Sequence, residues 1–151
     1  MSFVNPTIPN LADFITFCQN QGVTVTILPT SSDYYQWSLT YAEDIALYIT
    51  EIPSILYVLA VYNLGMHRLV SITPDQAGQT FFTDQRASYK LLSLTPGVIE
   101  SSADQSTSNS FAVPDGLKNL TLSALDMIKT PWGRYYIGYA QQYGPNVVGV
   151  S

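Results

Sequence analysis

The stretch whose reading decides the fold is residues 53–69, PSILYVLAVYNLGMHRL. Pro53 suits the first turn of a helix, where its missing N–H has no intrahelical partner to lose. Ile55, Leu59, Tyr62, Met66 and Leu69 recur at the three-and-four spacing of one helical face, and Leu56 to Ala60 make the opposite side apolar too. A helix that is apolar all round belongs in the middle of other elements. The wider apolar run, Ile45 to Leu64, approaches the length of a bilayer span, but Glu51 and Pro53 interrupt it and Asn63 and His67 follow. Its clean portion is about 12 residues, too short for ~30 Å of hydrocarbon, so it reads as a buried core helix and no membrane partner is expected.

Helical signals continue on both sides. Asn10 is a good N-cap for a first helix carrying Leu11, Phe14, Ile15 and Cys18 on one face, with Gly22 as its stop. Val23 to Leu28 alternates Thr with apolar residues until Pro29, which fits a short edge strand or an extended connector. Ser31, Ser32 and Asp33 offer a second cap, and Tyr34, Trp37, Leu39, Tyr41, Ile45 and Leu47 predict a helix over about 33–50. The pattern weakens over 71–94, where QRASYKLLSL fits one or two helical turns or an amphipathic strand. After the turn Thr95-Pro96-Gly97, strand-forming Val98, Ile99, Phe111 and Val113 flank a polar tip, SSADQSTSN, which reads as a β-hairpin or a long protruding loop. Asp115 caps a fourth helix over 116–128, and Pro131 opens a fifth that runs to about Tyr143 and ends at Gly144-Pro145. The expected fold class is mainly α: a small bundle of about five helices with a protruding β-hairpin or long loop.

The 151 residues fit one domain, large enough to bury roughly 70% of its unfolded surface. Within it, 1–9 reads as an extended N-terminal arm, 97–114 as a hairpin insertion and 145–151 as a C-terminal tail. The opening MSFVNPTIPN has neither the basic nor the apolar region of a signal peptide, and the single cysteine, Cys18, cannot form an intrachain disulfide. Both fit a reducing cytoplasm. Charged residues are 11% of the chain while aromatics reach 13%, with eleven tyrosines. A sparsely charged, Tyr-rich surface suits burial against another protein, so permanent assembly is expected. The six Lys/Arg are spread singly against eleven Asp/Glu, giving a net charge of −5. That balance argues against a nucleic-acid reader, whose affinity rests on clustered cations.

Chemistry-bearing constellations are sparse. His67 is the one histidine, and the helix-neighbouring positions are Asn63, Leu64, Val70 and Ser71, with no carboxylate to orient it. It reads as a packing or capping residue beside Arg68. One Cys and one His supply no ligand set for zinc or iron, so no metal or other cofactor is expected. Glu43 and Asp44, adjacent on a helix, point about 100° apart and read as a solvated edge. The glycine-rich and nucleophile-elbow motifs of nucleotide binders and common hydrolases are missing from the sequence, and no catalytic residue is assigned. The densest aromatic cluster, Trp132-Gly133-Arg134-Tyr135-Tyr136, combines the residue types most common in interface hot spots.

Two segments of this last third carry a resemblance. Gly97, Val98, Ile99, Ser101, Ser106 and Ser108, followed by a helical segment and then Thr130, Trp132, Gly133, Arg134 and Tyr136, resemble the G-V-[IV]-x-S-x-S motif with the alternating Ser/Val stretch that follows it, and the T-x-[WYF]-G-[RQ]-x-[YF] motif, of the tailed-phage head-tail connector, or adaptor, family. The order of elements is similar along nearly the whole chain: a short Asp13-Phe14 helix, central helices ending in LYVLAVYNLG, the hairpin, and the terminal T-P-W-G-R helix. Where family members usually carry A-H, this chain has Val61-Tyr62-Asn63 with His67 displaced, and Gln105 stands where the hairpin usually has Gly.

The resemblance implies a structural, non-enzymatic protein of the virion neck, made in the host bacterial cytoplasm. It would form a ring of twelve subunits beneath the portal protein, hand the channel on to a downstream neck or tail protein, and meet DNA only as passing cargo. Val98, Ile99, Ser101, Ser106, Ser108, Phe111, Trp132, Arg134 and Tyr136 are the expected interface residues. Alternative assignments are another neck or tail component, such as a head-closure or tail-terminator protein, or a non-enzymatic oligomeric scaffold.

Overall fold

The computed structural model describes residues 2–46, 51–91 and 126–143. Among them are five helices and no strand: α1 (Leu11–Asn20), α2 (Asp33–Ala46), α3 (Ser54–Ile72), α4 (Phe81–Ser88) and α5 (Pro131–Tyr143). The chain is a small helical bundle built around α3. α2 and α5 lie most extensively against α3, while α1 packs on both α2 and α3 and α4 lies against the end of α3. The expected hairpin, with Val98, Ile99, Ser101, Ser106, Ser108 and Phe111, and all but the end of the expected 116–128 helix lie outside the described residues.

α3 holds the centre because most of its circumference is apolar. Val58, Ala60, Val61, Tyr62, Leu64, Met66, Leu69 and Val70 are all buried. Its length and hydropathy would suit a membrane span, yet 61% of that stretch is covered by the bundle itself. Gly65 is required here: a Cβ at this position would lie 2.7 Å from the Phe14 ring, so glycine lets α1 press its phenylalanine onto the α3 backbone. Tyr62 organises the contact. Its ring meets Phe3 edge-on at 5.3 Å and also packs on Phe14 and Phe17. Its hydroxyl accepts from the Asn10 N–H at 3.0 Å and donates to the Asn10 carbonyl at 3.3 Å, so a buried aromatic keeps its polar tip satisfied.

Asn10 caps α1 as its sequence position predicts, its Oδ1 accepting from the Asp13 N–H at 2.9 Å. Asp13 reaches the other way. Its carboxylate accepts from the backbone N–H groups of Val4 at 2.8 Å and Asn5 at 2.7 Å and from the Asn10 side chain at 3.0 Å. Burial opposes ionisation of this carboxyl, but the three hydrogen bonds outweigh it and hold it below the ordinary carboxylate range. The N-terminal arm is thereby tied to its own bundle. Cys18, on the inner face of α1, is fully buried, and burial pushes its thiol well up.

Two local expectations resolve here. Val23 to Leu28 forms neither strand nor extended connector but turns, with Leu28 N–H bonded to Thr24 carbonyl at 2.9 Å; Val23 and Leu28 plug the core. Burial of these two apolar ends, with Gly22 at φ 112° releasing the chain from α1, outweighs the alternating pattern between them. In 71–94, the segment Phe81–Ser88 is helical. Asp75 fixes its start from outside, accepting from the N–H groups of Phe82 at 2.7 Å and Thr83 at 3.1 Å. Lys90, at φ 61°, closes it in the left-handed position that usually takes glycine, and Leu91 N–H reaches back to the Arg86 carbonyl at 2.8 Å.

Candidate functional site

The segment Asp126–Tyr136 joins α5 to the bundle and contains the motif residues that can be placed. Thr130 is the N-cap of α5: its Oγ1 accepts from the Gly133 N–H at 3.0 Å, and its carbonyl accepts from the Arg134 N–H at 3.0 Å. Pro131 then occupies the first helical position, where a prolyl nitrogen loses nothing. Gly133 sits so close to the preceding chain that a Cβ would fall 1.9 Å from the Met127 carbonyl oxygen. No other residue fits that fold-back without moving backbone.

His67 reaches this corner from α3. Its Nδ1 lies 2.7 Å from Thr130 Oγ1 and its Nε2 lies 3.2 Å from Asp126 Oδ2. A carboxylate oxygen only accepts, so the neutral imidazole carries its proton on Nε2 and its Nδ1 accepts the Thr130 hydroxyl proton, while the Thr130 oxygen accepts from Gly133. Nε2–H is then the donor to Asp126, and one imidazole tautomer satisfies every partner. The other carboxylate oxygen, Oδ1 of Asp126, is buried with no hydrogen-bond partner. Lys129 stands beside it: partial burial outweighs the attraction of Asp126 and, together with repulsion from Lys90, draws the ammonium below its usual value.

Carboxylate, imidazole and hydroxyl in that order is the arrangement of a nucleophilic triad. Here the hydroxyl oxygen is fully buried and committed to a helix cap, so a substrate carbonyl has no approach to it. The chain of bonds is a clasp that pins α5 on α3. Among the described residues no group of three His, Cys, Asp or Glu side chains is placed to hold a metal ion.

Trp132 and Tyr136, four residues apart, face inward and are both buried. The Trp132 indole N–H donates to Gln21 Oε1 at 2.9 Å, just past the end of α1, and its ring meets Tyr89 edge-on at 5.8 Å after α4. Burial, with Tyr41 and Tyr57 nearby, pushes the Tyr136 phenol up to about 12. Arg134 points outward and donates to the Ile128 carbonyl at 3.0 Å, while its neighbour Tyr135 is 62% exposed. The start of α5 therefore touches α1, α3 and the end of α4.

The structure corrects one reading of the sequence. His67 does have a carboxylate partner, but it comes from Asp126, 59 residues along the chain, and not from helical neighbours. The one sequence signal for the clasp is local to its far side: Asp126 and Thr130 stand four apart immediately before a helix-opening Pro131. No family model matches the chain, and neither a curated protein nor a solved structure is significantly similar to it.

Proposed function

We propose that this chain is a structural, non-enzymatic protein of a tailed-phage neck, one subunit of a ring that joins the portal to the tail and continues the DNA channel. The observation that carries the reading is the ordered pair of motifs, Gly97-Val98-Ile99 with its serines and Thr130-Pro131-Trp132-Gly133-Arg134 with Tyr136. The helical bundle and its outward apolar side chains support it. Trp37, Ile55 and Tyr135 are each more than half exposed, in a chain with few charges to keep such a surface solvated alone. The motif's threonine, tryptophan and glycine each have a structural task at one corner: a helix cap, a bond to Gln21 and a close backbone approach. The net charge of −5 suits a conduit along which a polyanion slides without adhering.

The test is assembly. Sedimentation of the purified chain with portal protein present should give a ring-sized complex, and electron micrographs of it should show the chain beneath the portal. A chain that stays monomeric both alone and with portal would overturn the proposal.

A further inference from the structure

Arg68 is the single Lys or Arg of α3. Its guanidinium stacks on the Tyr41 ring of α2, 4.5 Å from the ring centre. Beyond that stacking it forms no hydrogen bond or ion pair among the described residues, where the ion pair is His67–Asp126. The side chain is half-buried, yet its nitrogens reach the surface. The carboxylates that follow Tyr41 on α2 do not discharge it. Burial pushes the Glu43 carboxyl up with no cation opposing the rise, and the exposed Asp44 forms no ion pair. A guanidinium held flat on an aromatic ring with its donors open is suited to take a carboxylate in two parallel bonds.

The same face of α2 carries such a carboxylate. Asp33, Trp37 and Tyr41 stand four residues apart and make one ridge along the helix. Asp33 and Trp37 are exposed, and Asp33 has no ionic partner among the described residues. Trp37, 55% exposed, is steadied by Tyr34, edge-on at 5.0 Å. By helical rise Asp33 lies about 6 Å to one side of Trp37, and Tyr41 with its guanidinium about 6 Å to the other. The acid and the cation of one chain are thus about 12 Å apart along the ridge and do not meet. A twofold axis through Trp37 brings each onto its opposite in a second copy.

We infer that two copies of this chain pair through α2, antiparallel about a twofold axis at Trp37, with Asp33 of each copy on Arg68 of the other. Charge complementarity within the one ridge chooses the occupant. An acid, an aromatic and a cation in that order match the same series reversed, which is the self-complementarity that a twofold contact demands. A parallel pairing would set Asp33 on Asp33 and Arg68 on Arg68, so like-charge repulsion excludes it. Trp37 meets its own counterpart at the centre, where covering both rings supplies affinity, and the two ion pairs at the flanks set register. The pair needs no portal protein and is separate from the contacts that would close a ring.

The experiment is sedimentation equilibrium of the full-length chain without portal. Wild type should form a closed dimer. Asp33→Arg and Arg68→Glu each set like charges face to face and should weaken the dimer roughly tenfold or more. The two single variants mixed should pair with each other, and the chain carrying both changes should again pair with itself, because each restores opposite charges across the axis. Arg68→Met keeps the aliphatic stem on Tyr41, so it should weaken the dimer with a wild-type thermal melt, and it decides the matter if Arg68→Glu fails to fold. Trp37→Ala should weaken the dimer likewise. A monomeric wild type, or self-association that these changes leave alone, overturns the inference. So does an open-ended series of oligomers sensitive to the same residues, which would make the contact head-to-tail. Loss of portal binding in Arg68→Met with self-association intact would mark the face as a portal contact, and also overturns it.

Discussion

Two clasps hold the ends of this bundle, and they are built differently. At the N-terminal side, Asp13 gathers Val4, Asn5 and Asn10, all within nine residues of itself. At the C-terminal side, His67 on α3 grips Thr130 and Asp126 from about sixty residues away. The first clasp can form as soon as α1 does. The second requires α3 and α5 to have met, so it reports the completed tertiary fold. Local clasps fix a segment; distant ones fix an architecture.

The comparison breaks most severely at the residue that joins α5 to the ends of α1 and α4. Trp132→Ala removes a buried aromatic together with its bond to Gln21, and should cost about 3–5 kcal/mol. Urea unfolding should show it, with α5 detached or the protein insoluble; a wild-type midpoint would remove Trp132 from the core. The next effect is at the distant clasp. His67→Ala leaves the Asp126 carboxylate and the Thr130 hydroxyl without their partner, at about 1–3 kcal/mol. Thr130→Ser, which keeps cap and hydroxyl, should restore most of what Thr130→Val loses. Equal losses in Ser and Val would show that methyl packing, not the hydroxyl, carries the site.

The local clasp should respond to acid. The folded Asp13 carboxyl lies below its ordinary value of about 4. Its contribution is therefore fully present above that value and is lost as pH falls through the lower folded value. Asp75, held down by Thr83, Phe82 and Arg86 against the opposing effect of burial, adds to the same acid limb. Melting temperature should fall steeply below about pH 4, and Asp13→Asn should flatten that fall while loosening the arm by protease digestion. An unchanged acid limb in the variant would mean that other carboxylates dominate. The smallest effect belongs to Arg134→Ala, which removes one exposed bond to a carbonyl and should shift stability by no more than about 0.5 kcal/mol. A larger loss in calorimetry would make Arg134 a structural residue and not a surface contact.

What the sequence made legible divides along the same line. Pro53 and the all-round apolar stretch after it located α3, Asn10 and Gly22 bounded α1, and Pro131 to Tyr143 matched α5, because periodicity and caps are properties of neighbours in the chain. α4 was harder to see. It has eight residues, its two phenylalanines are adjacent and its start is fixed by Asp75 from outside the helix. The His67 clasp was illegible for a related reason: His67 lies on α3 while Asp126 and Thr130 precede α5, and only the packing of those elements brings them within bonding distance. A search for carboxylates at helical spacing around His67 could not reach Asp126.

Cys18 gives this small bundle a clock. The thiol is fully enclosed by the α1 face, and burial disfavours the thiolate, the form that attacks an alkylating or disulfide reagent. Modification must therefore wait for α1 to lift from the core, and with reagent in excess its rate counts those liftings one molecule at a time. Because the chain has one cysteine, the count needs no engineered label. Slower modification on assembly would measure, in seconds or hours, how far neighbours hold α1 shut.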